Sequence, residues 1–245
     1  MSDHSEASSG RPIVLVHGAW HGAWCWHRLA PLLEASGARV LSPDLPSMGA
    51  DPTPANEVTL ESWAEHVAAI AERERGCCLV GHSLGGAVIS RAAQLAPEHI
   101  RQLVFLAAYL LPAGATVACA ARADADSLLA PNMVPFERGV SCVLRPGVLR
   151  EAFFGDCSED DFEFARARLS PQPLKPLATA LDVDAERFGS LPRAYIETTR
   201  DRAVSVEAQR RMQAVLPCAP VFTLDAGHSP FLSQPEALAR ILISI

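Results

Sequence analysis

The sequence predicts an α/β fold: a mostly parallel central sheet flanked by helices, with an inserted helical lid. Three observations predict it. Short apolar runs alternate with longer stretches of helical periodicity. Three of those runs, 13–16, 77–80 and 103–107, are wholly apolar, as expected of buried strands. One long segment, about 112–189, breaks the alternation.

Taken in order, the first ten residues, MSDHSEASSG, are polar and read as a disordered tail, leaving 11–245 as a single domain. Strands are expected at 13–16, 39–42, 77–80, 103–107, 193–199 and 220–224. Between them, helical periodicity covers 26–36, 60–75, 86–96, 206–215 and 235–243. The segment 112–189 carries scattered prolines, charged helical pieces such as 159–169, and no run that reads as a strand. A stretch this long inside a compact domain is usually functional. Phe153, Phe154, Phe162, Phe164 and Leu169 give it more apolar area than a disordered linker holds, so it is expected to be a lid.

Composition narrows the partners. The net charge is −7, with 28 acidic against 21 basic residues, so there is no basic stripe to neutralise a phosphate backbone and nucleic acid is not expected. The longest apolar stretch, 103–111, is too short to span hydrocarbon about 30 Å thick, so no membrane partner is expected. The tail lacks the apolar core of a secretory signal, and a cytoplasmic location is expected. Seven cysteines, with Cys77 and Cys78 adjacent in a strand, fit free thiols acting as small apolar residues better than a disulfide framework.

Gly81-His82-Ser83-Leu84-Gly85 matches G-x-S-x-G, directly after the strand at 77–80 and directly before a helical pattern. In that setting the serine sits on a strained turn that lifts its hydroxyl above the sheet, at a cost of about 1–3 kcal/mol. Side chains at Gly81 and Gly85 would collide with the neighbouring strand and helix. A serine hydroxyl needs a base within hydrogen-bond reach and a third group to orient that base. His228 follows the strand at 220–224, and Asp201 follows the strand at 193–199; both therefore lie at the carboxyl edge of the sheet. The order Ser83, Asp201, His228 is the order expected when the nucleophile sits on such an elbow. Asp225 belongs to a strand end, where it is expected to brace the loop, and Glu197 lies within a strand. His82 is expected to pack or hydrogen-bond, and Asp44 to be a turn carboxylate.

An oxyanion needs backbone donors. One is expected from Leu84, after the nucleophile, and one from Ala19, in the loop after the first strand. That loop reads HGAWHGAWCWH, with histidines at 17, 21 and 27; it lacks HExxH or paired CxxC spacing, so no metal is expected.

With these residues in view, the chain resembles the plant methylesterase and hydroxynitrile lyase group of α/β-hydrolases, which also has bacterial esterase members. The likeness runs through "VLVHGAWHGAWCWHRLAPLLEASGARVLSPDLPSMGAD", "LVGHSLGGAVIS", "LVFLAAYLLP", "EDDFEFARARLSPQPL", "ERFGSLPRAYIETTRDRAVSVEAQRRM" and "DAGHSPFLSQPEAL". It covers most of 12–243 and is weakest at about 113–150. It implies the α/β-hydrolase fold, with nucleophile, acid and base on Ser83, Asp201 and His228, and oxyanion amides on Ala19 and Leu84. Tyr109 matches an acyl-pocket aromatic of the group. The lyases carry a threonine after the first strand, a lysine after the catalytic histidine and a glutamate before the nucleophile. Here those places hold Gly18, Ser229 and His82.

The expected activity is carboxylic ester hydrolysis by a serine esterase, without a cofactor. Trp20, Trp24 and Phe231 are expected at an aromatic entrance that favours a small or medium apolar acyl group. The alternatives are thioester hydrolysis, cyclisation or C–C cleavage on the same residues, and a ligand-binding receptor that keeps the fold. The expected partner is a small-molecule ester; the sequence leaves open whether the chain also forms a homodimer.

Overall fold

The computed structural model describes residues 10–245; apart from Gly10, the expected tail 1–10 lies outside the described residues. Six strands, β1 (Pro12–Val16), β2 (Arg39–Leu41), β3 (Cys77–His82), β4 (Ile100–Leu106), β8 (Arg193–Thr198) and β9 (Val221–Leu224), form a sheet of order β2-β1-β3-β4-β8-β9. Every pairing in it is parallel. All six residues of β3 are buried, which explains why this strand reads as a continuous run rather than an alternating one.

Helices α1 (Leu29–Ala35), α2 (Leu60–Glu74) and α3 (Gly85–Leu95) link the first strands. Later come α8 (Val206–Val215), α9 (Pro230–Ser233) and α10 (Pro235–Ser244). α1 packs on α10, and α2 on α3. α2 starts where the sequence puts a capping box. Thr59 Oγ1 accepts from the Ser62 N–H at 3.1 Å, and Ser62 Oγ accepts from the Thr59 N–H at 2.9 Å. The expected helix at 26–36 is divided: Ala23–Trp26 forms a 3₁₀ turn, and α1 begins only at Leu29.

The segment between β4 and β8 holds α4 (Val117–Ala123), α5 (Leu149–Phe153), α6 (Glu159–Arg166) and α7 (Leu174–Ala178). It is not only helical. A second, antiparallel sheet of order β5-β6-β7 is formed by Met133–Phe136, Ser141–Leu144 and Gln172–Pro173. This corrects the expectation of a strandless helical insertion. Both outer strands contain a proline, Pro135 and Pro173, which an edge strand tolerates because it has a side with no ladder bond to make. Phe153 and Phe154 of this segment are fully buried, so it shares the core of the main sheet. No described helix is long and apolar enough to cross a membrane. All seven cysteines are free, and burial pushes the Cys78 thiol up to about 12.

Candidate active site

Four loops meet at the carboxyl edge of the sheet. After β3 the chain turns at Ser83, whose φ of 54° is a left-handed conformation rare for a residue with a side chain. Glycines make the turn possible. A Cβ at Gly81 would lie 2.6 Å from the Gly85 carbonyl oxygen, and one at Gly85 would lie 2.6 Å from that of Val16. The turn is locked by the Ser83 N–H donating to Leu106 O at 3.2 Å, and by Ser83 O accepting from the Tyr109 and Gly86 N–H groups at 3.0 Å. α3 departs from this turn with its N-terminus, the positive end of its dipole, beside Ser83.

The loops after β8 and β9 bring Asp201 and His228 together. His228 Nδ1 lies 2.7 Å from Asp201 Oδ2, and both side chains are buried. Asp201 Oδ1 accepts from the Ala203 and Val204 N–H groups at 2.7 and 2.9 Å; Oδ2 also accepts from Thr198 Oγ1 at 3.0 Å. The carboxylate is thus held by its own turn and presents one oxygen to the imidazole. With Nδ1–H donating to Asp201, the His228 Nε2 is left as an acceptor; it is buried and has no hydrogen-bond partner among the described residues. The Ser83 hydroxyl does not bond to it in this state; such contacts commonly tighten only once substrate is bound.

His82 fixes the His228 loop to the elbow. Its Nε2–H donates to the His228 carbonyl at 2.9 Å, and the two rings lie 4.5 Å apart. Burial, reinforced by His228 and His21 nearby, holds His82 well below the ordinary histidine range, so it stays neutral. Asp225 braces the loop as expected, through Thr199 Oγ1 at 3.0 Å and Arg200. Asp44 accepts from the Ala23 and Ala50 N–H groups at 2.6 and 3.0 Å. Glu197 is buried and engaged with Arg210 at 2.8 Å, away from His228.

The histidines of HGAWH have a structural explanation. His17 Nδ1–H donates to Gly18 O at 2.9 Å, while its Nε2 accepts from the Leu45 N–H at 3.1 Å. His21 Nδ1–H donates to Ala19 O at 2.7 Å. Two successive carbonyls of the loop are thus pinned, which turns the Ala19 N–H the opposite way. Burial holds His17 down to about 4 and His21 to about 3, so both are neutral donors at physiological pH. Neither the Ala19 nor the Leu84 N–H has an acceptor among the described residues.

Ala19, Ser83 and Leu84 line one cavity of about 170 Å³, with Trp20 and Tyr109 beside them. Its outer wall is the insertion, apolar at Val117, Ala121, Leu129, Met133 and Leu177 but with Arg122 among them. Trp20 and Tyr109, expected at the site, therefore line the same cavity as Ser83. Phe231 does not. It is fully buried, with its ring 4.9 Å from His82 and 5.0 Å from Trp26, because Pro230 starts α9 directly after the His228 loop and turns Phe231 inward. Trp24 is likewise outside the cavity, stacked on His21 at 5.3 Å.

This edge, with its serine elbow and histidine–aspartate pair on a parallel sheet, defines a hydrolase fold. The alpha/beta hydrolase family model matches residues 13–241, and the chain belongs to that family. It is 31% identical over 261 residues to polyneuridine aldehyde esterase of Rauvolfia serpentina, covering 100% of this chain and 99% of that one. It is 30% identical over 257 residues to methylesterase 7 of Arabidopsis thaliana, with 98% of each covered. Among solved structures, a pyrethroid hydrolase from Sphingobium faniae JZ-2 superposes with a TM-score of 0.85 at 33% identity, covering 96% of each chain. The resemblance to plant methylesterases thus extends over nearly the whole chain, and the enzyme class expected from the sequence, ester hydrolase, is the class of these relatives.

Proposed function

We propose that the protein hydrolyses carboxylic esters of small, largely apolar acids through an acyl-enzyme on Ser83. The observation that carries this reading is the 2.7 Å Asp201–His228 bond beside a left-handed Ser83, with the free amides of Ala19 and Leu84 on the same cavity. Ser83 Oγ attacks the ester carbonyl carbon as His228 Nε2 takes its proton, and Asp201 stabilises the imidazolium. The carbonyl oxygen becomes an oxyanion received by the Ala19 and Leu84 amides. Losing one such donor typically costs about 2.7–4 kcal/mol. Collapse expels the alcohol, which takes the proton from His228; water then repeats the sequence and releases the acid.

Hydrolysis is favoured over cyanohydrin cleavage by what borders Ser83. A Cβ at Gly18 would lie 2.8 Å from that of Ser83, so no threonine fits there without displacement. Ser229, next to His228, supplies no positive charge for a departing cyanide. The insertion, about 112–189, acts as the lid and closes the acyl site with mostly apolar side chains, Arg122 being the charged exception, and a cytoplasmic location accords with this role. The test is steady-state turnover of short methyl, aryl and thioesters beside a cyanohydrin. Ester turnover that vanishes in Ser83→Ala is expected; faster cyanohydrin cleavage than ester hydrolysis would refute the reading.

A further inference from the structure

Trp20 has a φ of 61°, a conformation that a bulky residue keeps only where its surroundings impose it. The insertion imposes it. Gln172, fully buried in β7, accepts the Trp20 N–H on Oε1 at 3.2 Å. Its Nε2 donates to the Pro173 carbonyl at 2.8 Å, which fixes the amide so that the oxygen faces Trp20. The Ser170 N–H donates to Trp20 O at 2.9 Å, and Trp20 Nε1 donates to Cys142 O at 3.1 Å. The peptide joining Ala19 to Trp20 is therefore gripped at both ends, its carbonyl by His21 and its N–H by Gln172. The next amide upstream is that of Ala19.

We propose that Gln172 is a positioning residue for oxyanion stabilisation, aiming the Ala19 N–H through the Trp20 peptide without lining the substrate cavity. The inference rests on the esterase reading above. Gln172 is 152 residues from Trp20 in the chain, so the insertion sets the geometry of the site as well as covering it. The other two loops are tied in the same way. Asp124 accepts from Ser205 Oγ at 2.6 Å and the Ser205 N–H at 2.8 Å, four residues beyond Asp201. Asp156 accepts the Gly227 N–H, beside His228, at 2.8 Å. A lid swinging freely on a hinge would have to break these bonds, most of them buried, on each opening, whereas a fixed brace keeps them.

The experiment compares Gln172→Leu with Gln172→Glu. The first removes the acceptor; the second, protonated in so buried a place, restores both bonds. Three quantities are read on folded protein: kcat and KM for a short ester, affinity for a trifluoromethyl ketone that forms an oxyanion on Ser83, and affinity for the product acid. The expectation for Q172L is a fall of about 10- to 100-fold in kcat and in ketone affinity, with KM and product affinity within about 3-fold. Q172E at pH 6 is expected to recover most of both. Unchanged kcat and ketone affinity in Q172L would overturn the inference, as would an equal loss of ketone and product binding. Gln172→Met, of similar length and lacking the oxygen, serves if Q172L does not fold. Wild-type protein that a fluorophosphonate leaves unlabelled would refute the esterase reading itself; equal labelling rates in wild type and Q172L would refute only the positioning role.

Discussion

The carboxyl edge of the main sheet and the insertion face each other across one cavity, yet they are specified in different ways. At the edge, backbone sterics leave almost no latitude: Cβ atoms at Gly18, Gly81 and Gly85 would each come within 2.8 Å of Ser83 Cβ or a backbone atom. On the insertion side the wall is built mostly from apolar groups such as Val117, Ala121, Leu129, Met133 and Leu177, with Arg122 the one charged residue, and the sizes of the apolar groups can be exchanged without disturbing the chain. On the proposed esterase reading, the difference teaches that the reacting groups come from short motifs, while the substrate preference and the bracing of the site come from scattered side chains. Changes at the edge should lower turnover of every ester alike. Changes in the insertion wall should sort one ester from another.

The largest expected effect is at the edge. Asp201→Asn keeps the shape but supports the wrong imidazole tautomer, and kcat should drop about 10⁴-fold for every ester with KM little moved. A loss confined to some substrates would break the comparison. Gly18→Ala comes next. Its new methyl would meet Ser83 Cβ at 2.8 Å and His82 Nδ1 at 3.0 Å, so kcat should fall about 10²- to 10³-fold, again uniformly, while circular dichroism stays native.

A third effect is on stability and also belongs to the edge, because no histidine lies in 112–189. Folded His17 and His21 titrate at about 4 and about 3, below the ordinary 6.5, so between these values the unfolded chain binds more protons. Their contribution is complete above about pH 6.5 and is lost as pH falls towards 4 and then 3. For His17 alone the shift corresponds to about 3 kcal/mol. Thermal unfolding from pH 7 to 4 should show a falling Tm, with a shallower slope in His17→Asn; a flat wild-type profile would contradict the neutral, buried state. The smallest effect is in the wall. Ala121→Leu narrows the cavity and should lower kcat/KM for a long acyl chain about 10-fold against an acetyl ester, which should be nearly unaffected.

The same contrast explains what can be read from the sequence. The four central strands β1, β3, β4 and β8 are legible because strands buried on both faces are largely apolar runs, and β3 is buried at every position, whereas β2 and β9 are short, partly exposed edge strands. Ser83, Asp201 and His228 are legible because each lies just beyond a strand, in the loop at its carboxyl end. The sheet of the insertion is not, since β7 is two residues long and both edge strands carry a proline that masks any alternation. Nor does any local pattern mark Gln172, which is polar, flanked by prolines, and bonded to a residue 152 positions away. HGAWH did carry a signal: two histidines flanking a glycine-containing turn can clasp its carbonyls as well as bind a metal, and here they clasp. Phe231 is misleading because it stands three residues after His228, where only the turn into α9 decides whether it faces the cavity or the core.

Mass spectrometry of the intact protein after brief exposure to a fluorophosphonate, followed by peptide mapping, tests the central claim most directly. One adduct per chain on Ser83 is expected, formed slowly in His228→Ala and absent in Ser83→Ala. Folded wild-type protein that gains no adduct, or carries it on another residue, would contradict the account.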